Sequence, residues 1–175
     1  NEYCLFQGYQ AVSLSILKEF NRICRNNQIK YFLAYGTLLG AVRDHCQVPW
    51  DYDIDVFVSI NDKELLISVL NNSLGDDFYY AYTDNIKHYP ASCLRVCKKG
   101  YSFMAIHVDV FFLIGCPNEE MKRNQLIKKV NRNIRLREKN GGYYYDENYT
   151  SKSLLRRVFH WLMKKKSLLY FDKLL

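Results

Sequence analysis

Asp51, Asp53 and Asp55 occupy alternate positions in the run Asp51-Tyr52-Asp53-Ile54-Asp55-Val56-Phe57-Val58, a spacing that places carboxylates on one face of an extended strand. Ile54, Val56, Val58 and Ile60 then face a core, and Asp51, Asp53, Asp55 and Phe57 face the other side. Residues two apart on a strand are roughly 6.6 Å from one another, so the charges repel unless a cation or a shared proton relieves them. Hard divalent cations with oxygen ligands, Mg²⁺ first and Mn²⁺ as its substitute, are the natural relief. A fourth carboxylate, Asp109, lies in a second apolar run, Met104 to Leu113, which sets His107, Asp109, Phe111 and Leu113 on one face. If that strand neighbours the first, Asp53, Asp55 and Asp109 converge as a catalytic and metal-binding group suited to phosphoryl-type transfer, with Asp51 as a further ligand.

Two blander readings stand beside this one. The acids could be solvated residues at strand ends, and His107 could be purely structural. A calcium loop starting at Asp51 fits the positions of Asp51, Asp53, Asp55 and Asp62. It fails at its sixth position, where glycine is needed and Val56 stands within a β-branched, extended run.

A phosphate site is suggested just upstream. Tyr31 to Ala34 is a short apolar run of strand type, Gly36-Thr37 reads as a tight turn, and Leu38 to Arg43 has helix-forming composition. The first N–H groups of a helix lack intrahelical acceptors and the dipole favours an anion there, so Gly36 and Thr37 would bind a phosphate group. Arg43, and Arg95 on a later strand, are candidates to neutralise a diphosphate. Trp50 is expected to anchor the loop that precedes the acids.

These stretches, Gly36-Thr37-Leu38-Leu39-Gly40-Ala41-Val42-Arg43, Pro49-Trp50-Asp51-Tyr52-Asp53-Ile54-Asp55 and His107-Val108-Asp109-Val110-Phe111, resemble the signature of the LicD family of phosphocholine and related phospho-alcohol transferases. Fukutin-related proteins share that signature, within the nucleotidyltransferase superfamily. The likeness runs from about Leu14 to Pro117, with Tyr52 where the family often carries another aspartate. It implies an α/β (α+β) domain in which a nucleotidyltransferase-like mixed sheet is flanked by helices. It also implies transfer of a phospho-alcohol, such as phosphocholine, from a CDP-linked donor such as CDP-choline to a glycan hydroxyl, in lipopolysaccharide or teichoic acid, with release of CMP. In that scheme Asp53 and Asp55 bind Mg²⁺, Asp109 binds metal and helps activate the acceptor hydroxyl, and Gly36 and Thr37 hold phosphate. Two alternatives remain open. One is a nucleotidyltransferase adding NMP to a small molecule, protein or RNA. The other is a basic module, with a degenerate site, that binds membranes or nucleic acid; under the transferase reading no nucleic acid is expected.

At 175 residues one domain is the default, and the missing initiator Met suggests a trimmed chain. Residues 1–117 hold 10 Lys and Arg against 12 Asp and Glu, and residues 118–175 hold 15 against 6, so the net charge of +7 divides into −2 and +9. The division expected is a catalytic core over 1–117 and a basic helical segment over 118–175, which would meet an anionic membrane surface or serve as a solvated face. No run of eighteen apolar residues occurs, and the start lacks a signal-peptide layout. A cytoplasmic protein working at the inner face of the membrane is the expectation. The six cysteines form no Cys-x-x-Cys pair and read as reduced thiols.

The remaining elements must position the acids. Helical spacing predicts a helix over Gln10 to Cys24 and another over Asp62 to Leu74, and strands are expected at Phe78 to Tyr82 and Ser92 to Cys97. A basic helix over 118–140 is expected to end at Gly141-Gly142, and an amphipathic helix follows Ser151.

Overall fold

The computed structural model describes residues 2–144, apart from 52, 87, 88 and 90. The amphipathic segment after Ser151 lies outside the described residues. The chain divides into two units: one comprises Asn1–Ala81 with Cys93–Ile114, and the other includes Tyr82–Ser92 and the chain from Gly115 on.

The first unit is a five-stranded sheet with helices. Its elements are α1 (Glu2–Asn26), β1 (Tyr31–Leu33), α2 (Tyr35–Arg43), β2 (Ile54–Ser59), a 3₁₀ turn (Ile60–Asp62), α3 (Lys63–Ser73), β3 (Phe78–Ala81), β4 (Leu94–Lys98) and β5 (His107–Leu113). The strand order is β1-β2-β5-β4-β3. β2 and β5 run parallel, and every other pairing is antiparallel, so the sheet is mixed as expected.

One face of this sheet is apolar because alternate residues of the central strands are. Ile54, Val56 and Val58 of β2 are buried, as are Val108 and Val110 of β5 and Leu94 and Val96 of β4. Register places these side by side, Ile54 opposite Val108, Val56 opposite Val110, and Val96 opposite Val108. α1 lies across β2, β4 and β5 and also meets α3. Its Ile16, Phe20, Ile23 and Cys24 are fully buried, and Phe20 packs edge-on against Tyr31 at 5.2 Å. Each fully buried side chain of this size contributes about 1.5–3 kcal/mol.

Several boundaries differ from the sequence reading. α1 starts well before Gln10. β2 begins only at Ile54, so Asp51 and Asp53 approach it from the loop, and Ile60 leaves the core for the 3₁₀ turn, where it is 37% exposed. In the second unit α4 (Glu120–Tyr144) continues through Gly141-Gly142, where an end was expected. Glycine weakens a helix interior by about 1 kcal/mol, which is too little to stop it alone. No helix among the described residues is long and apolar enough to cross a membrane.

Candidate active site at the parallel strand pair

The opposite face of the sheet gathers the candidate residues, and strand register explains how. Asp55 of β2 stands directly opposite Asp109 of β5, and Asp109 stands opposite Arg95 of β4. Two residues further along, Phe57 faces Phe111. Two aspartates distant in sequence are therefore neighbours because the strands that carry them are parallel partners. Asp53, His107 and Asp109 can each present a ligand atom within 4.8 Å of the others.

Asp109 sits at the centre of this group. It is 7% exposed, its Oδ1 accepts from Arg95 Nε at 2.9 Å, and His107 Nε2 lies 3.3 Å from the same oxygen. Burial alone would raise its pKa, but the His107 and Arg95 contacts outweigh burial and hold the carboxyl below its ordinary value. Asp55 goes the other way. Burial first, then the charges of Asp53, Asp109 and Asp51, push it up to about 6.

These residues fit a divalent cation. Crowded carboxylates that raise each other's proton affinity are relieved by positive charge. The imidazole of His107 also has capacity in reserve, since its Nδ1 is buried without a hydrogen-bond partner among the described residues. Carboxylates suit Mg²⁺ and Mn²⁺, while an imidazole in the set favours Mn²⁺ over Mg²⁺.

The loop that delivers Asp51 and Asp53 is pinned by two glutamines. Gln10 Nε2, on α1, donates to the carbonyls of Val48, Pro49 and Asp51 at 2.9–3.2 Å. Gln47 Nε2 donates to the carbonyls of Asp51 and Asp53 at 3.3 and 3.1 Å. Gly40 completes the fit: a Cβ there would meet the Cys46 carbonyl at 2.6 Å and the Val48 nitrogen at 3.0 Å. Trp50, expected to anchor this loop, is instead 70% exposed, and backbone hydrogen bonds to the glutamines do that work.

Gly36 and Thr37 do not form a separate turn. α2 begins at Tyr35 with Ala34 as its N-cap, so both lie in the first helical turn. The first intrahelical bond runs from Leu38 N–H to the Ala34 carbonyl, which leaves the N–H groups of residues 35–37 at the helix start. Thr37 Oγ1 accepts from the Asp55 N–H at 2.9 Å and fixes the helix to β2. Asp51 comes close: its Oδ2 lies 2.7 Å from where a Cβ on residue 36 would stand, so a larger residue there would push that carboxylate aside. A carboxylate thus lies close to the helix start that was expected to hold phosphate.

The two arginines are differently placed. Arg95 lies in the acidic group itself, set against Asp109 and the Phe103 carbonyl with a side chain 14% exposed. Arg43 sits at the far end of α2, about 10 Å along the helix from Gly36 by helical rise, and pairs with Asp44 at 2.7 Å with its side chain 53% exposed. His107, for which a purely structural role was open, joins the candidate ligand group. Gln10 and Gln47 were not singled out at all. His107 carried a signal, its place on the Asp109 face. The glutamines carried none, because their targets are main-chain carbonyls.

The profile described as LicD/FKTN/FKRP, nucleotidyltransferase domain, matches residues 28–139, well over half the chain. The chain belongs to the LicD family. It is 31% identical over 168 residues to the lipopolysaccharide cholinephosphotransferase LicD of Haemophilus influenzae, covering 89% of this chain and 63% of that protein. It is also 33% identical over 93 residues to an uncharacterized protein of Rickettsia prowazekii, covering 51% of this chain and 33% of the other. A 68-residue stretch is 35% identical to mannosyltransferase regulator 4 of Saccharomyces cerevisiae, 6% of that protein. The chain therefore spans less than two thirds of these relatives' own lengths.

Proposed function

We propose that this LicD-family chain is a phosphotransferase that moves a phospho-alcohol, phosphocholine foremost, from a CDP-linked donor to a glycan hydroxyl, with lipopolysaccharide as the acceptor class, releasing CMP. One observation carries the reading: Asp109 and the Asp53/Asp55 stretch, distant in sequence, meet on one sheet face beside the start of α2. Likeness to a cholinephosphotransferase supports the substrate class.

The balance is simple. The acceptor oxygen forms a bond to the phosphorus bearing the alcohol, the bond from that phosphorus to the bridging oxygen of the diphosphate breaks, CMP departs, and the hydroxyl proton is lost to a base. A divalent cation, Mg²⁺ or Mn²⁺, would neutralise phosphate charge and lower the pKa of the hydroxyl. Asp53, Asp109 and His107 would hold it, with Asp55 and Asp51 alongside. Because Arg95 and His107 lower the proton affinity of Asp109, that carboxylate is better suited to staying anionic as a ligand than to taking the hydroxyl proton. Gly36 and Thr37 present N–H groups at the start of α2 to the diphosphate. The core over 1–117 carries the chemistry, and the basic segment 118–175 favours an anionic membrane surface near the acceptor.

The test is CMP release from CDP-choline, with Mg²⁺ or Mn²⁺ and a lipopolysaccharide acceptor, by the wild type and by Asp53→Asn and Asp109→Asn. Loss of release in both variants, with unchanged circular dichroism, is the expected result. Turnover equal to wild type in either one would refute the assignment.

A further inference from the structure

Beside the acids on the same sheet face lie three aromatic rings that the transfer chemistry leaves unused. Phe57 follows Asp55 by two residues and Phe111 follows Asp109 by two, so the ring pair sits one strand step, about 7 Å, from the carboxylate pair. Tyr35, the first residue of α2, packs edge-on against both, with ring centroids 5.2 Å from Phe57 and 5.4 Å from Phe111. The two phenylalanines are 6.2 Å apart. This is not an ordinary core cluster, because Tyr35 is 62% exposed. Its backbone also has φ +43, a left-handed conformation that costs a non-glycine residue about 1–3 kcal/mol. Such a conformation persists only where the surroundings fix it, and here it sets an open aromatic ring over the phenylalanine pair.

We propose that Tyr35, Phe57 and Phe111 form the subsite for a quaternary ammonium group, which makes them the specificity determinants for a choline-type donor. Aromatic faces attract cations through the ring quadrupole, most strongly where the cation is poorly hydrated, as a trimethylammonium is. The nearby carboxylates Asp51, Asp53, Asp55 and Asp109 outnumber the charge of the paired Arg95 and of one divalent cation together, so the site keeps a negative excess whose field favours a cation. A neutral polyol or a nucleobase gains nothing from that field. The spacing suits the donor, since a phosphate held by the divalent cation and the N–H groups at the start of α2 would leave the ammonium, two carbons further on, over the rings. The inference rests on the transferase reading for its substrate and makes an independent demand on binding.

The experiment measures binding to the wild-type chain of choline, phosphocholine and the neutral carbon isostere 3,3-dimethylbutan-1-ol, by saturation-transfer NMR on the methyl protons. Choline should bind about tenfold more tightly than the isostere. Tyr35→Leu and Phe57→Leu, which keep apolar bulk without the ring, should each weaken choline by about tenfold, and Tyr35→Phe should retain it. Equal binding of choline and the isostere, or choline binding unaffected by Tyr35→Leu, overturns the proposal. So does protection of these rings by CMP alone, which would mark a nucleobase platform. Failure here and failure of the transferase reading are separable. Turnover of CDP-ribitol with no choline binding leaves the transferase standing without this subsite. Ring-dependent choline binding with no CMP release from any CDP-alcohol does the reverse.

Discussion

The two faces of the sheet are built from the same strands, residue by alternate residue, yet different forces hold them. On the α1 face, Ile54, Val56, Val58, Val108 and Val110 gain stability from leaving water, and nothing there opposes folding except lost chain entropy. On the other face Asp55, Asp109, Arg95 and His107 are partly or wholly buried charged or polar groups, which cost solvation and are only partly compensated by one another. The first face is optimised for stability, and the second is held in place by the first. A site of this kind is a local load that the rest of the fold carries.

The comparison can be broken at several points. The largest stability loss should come from the apolar face: Phe20→Ala is expected to cost about 3–5 kcal/mol, read as a lower midpoint in urea unfolding. A loss under about 1 kcal/mol would mean that α1 is not the main cover of the sheet. On the polar face, Arg95→Met leaves the mostly buried Asp109 without its guanidinium and should cost about 2–4 kcal/mol, with Arg95→Met/Asp109→Leu recovering most of it. No recovery in the double variant would show the pair to be more than mutual compensation.

Asp53→Asn should instead leave stability nearly unchanged while CMP release falls by about a hundredfold or more. A thermal melt measured alongside turnover distinguishes the two faces directly. Gly40→Ala tests their junction, since the added Cβ meets backbone that cannot yield cheaply; about 1–3 kcal/mol of destabilisation and a slower reaction are expected together.

The smallest effect has the opposite sign. The folded-state pKa of Asp55 is raised to about 6 from its ordinary 3.8, so its protonated form is favoured by folding. Its contribution is fully present below pH 3.8 and is lost as pH rises through 6. Asp55→Asn should therefore be more stable than wild type at pH 7, by about 1 kcal/mol after allowance for solvent screening, and equal to it near pH 3.5. Divalent cation at pH 7 should shrink that gap by stabilising the wild type more than the variant. Wild-type stability that rises from pH 4 to 7 relative to Asp55→Asn would contradict the crowding of these carboxylates.

Much of this was legible in the sequence for particular reasons. The period-two alternation around Asp55 and Asp109 assigned the residues inside β2 and β5 to their faces, because strand geometry allows nothing else there, and it failed at Asp51, Asp53 and Ile60, which lie outside β2. The helical spacing before residue 24 announced α1, although its extent did not show. Element ends were harder to read. Gly36-Thr37 looked like punctuation but lies inside α2, which starts at Tyr35 and is tied to β2 where Thr37 Oγ1 takes the Asp55 N–H. Gly141-Gly142 likewise lies inside a helix, α4. Trp50 and Arg43 were given roles from residue type alone, and both are largely exposed in the structure.

By itself the sequence determined which residues could do chemistry and which face each would take, since both follow from side-chain type and strand period. Tertiary structure alone decided that β2 and β5 are parallel neighbours in register, that Arg95 and His107 close on Asp109, and that Tyr35 covers Phe57 and Phe111. The reason is physical. Pairing between strands some fifty residues apart is chosen by the burial of a whole sheet face under α1, a global quantity that no local window of the chain contains.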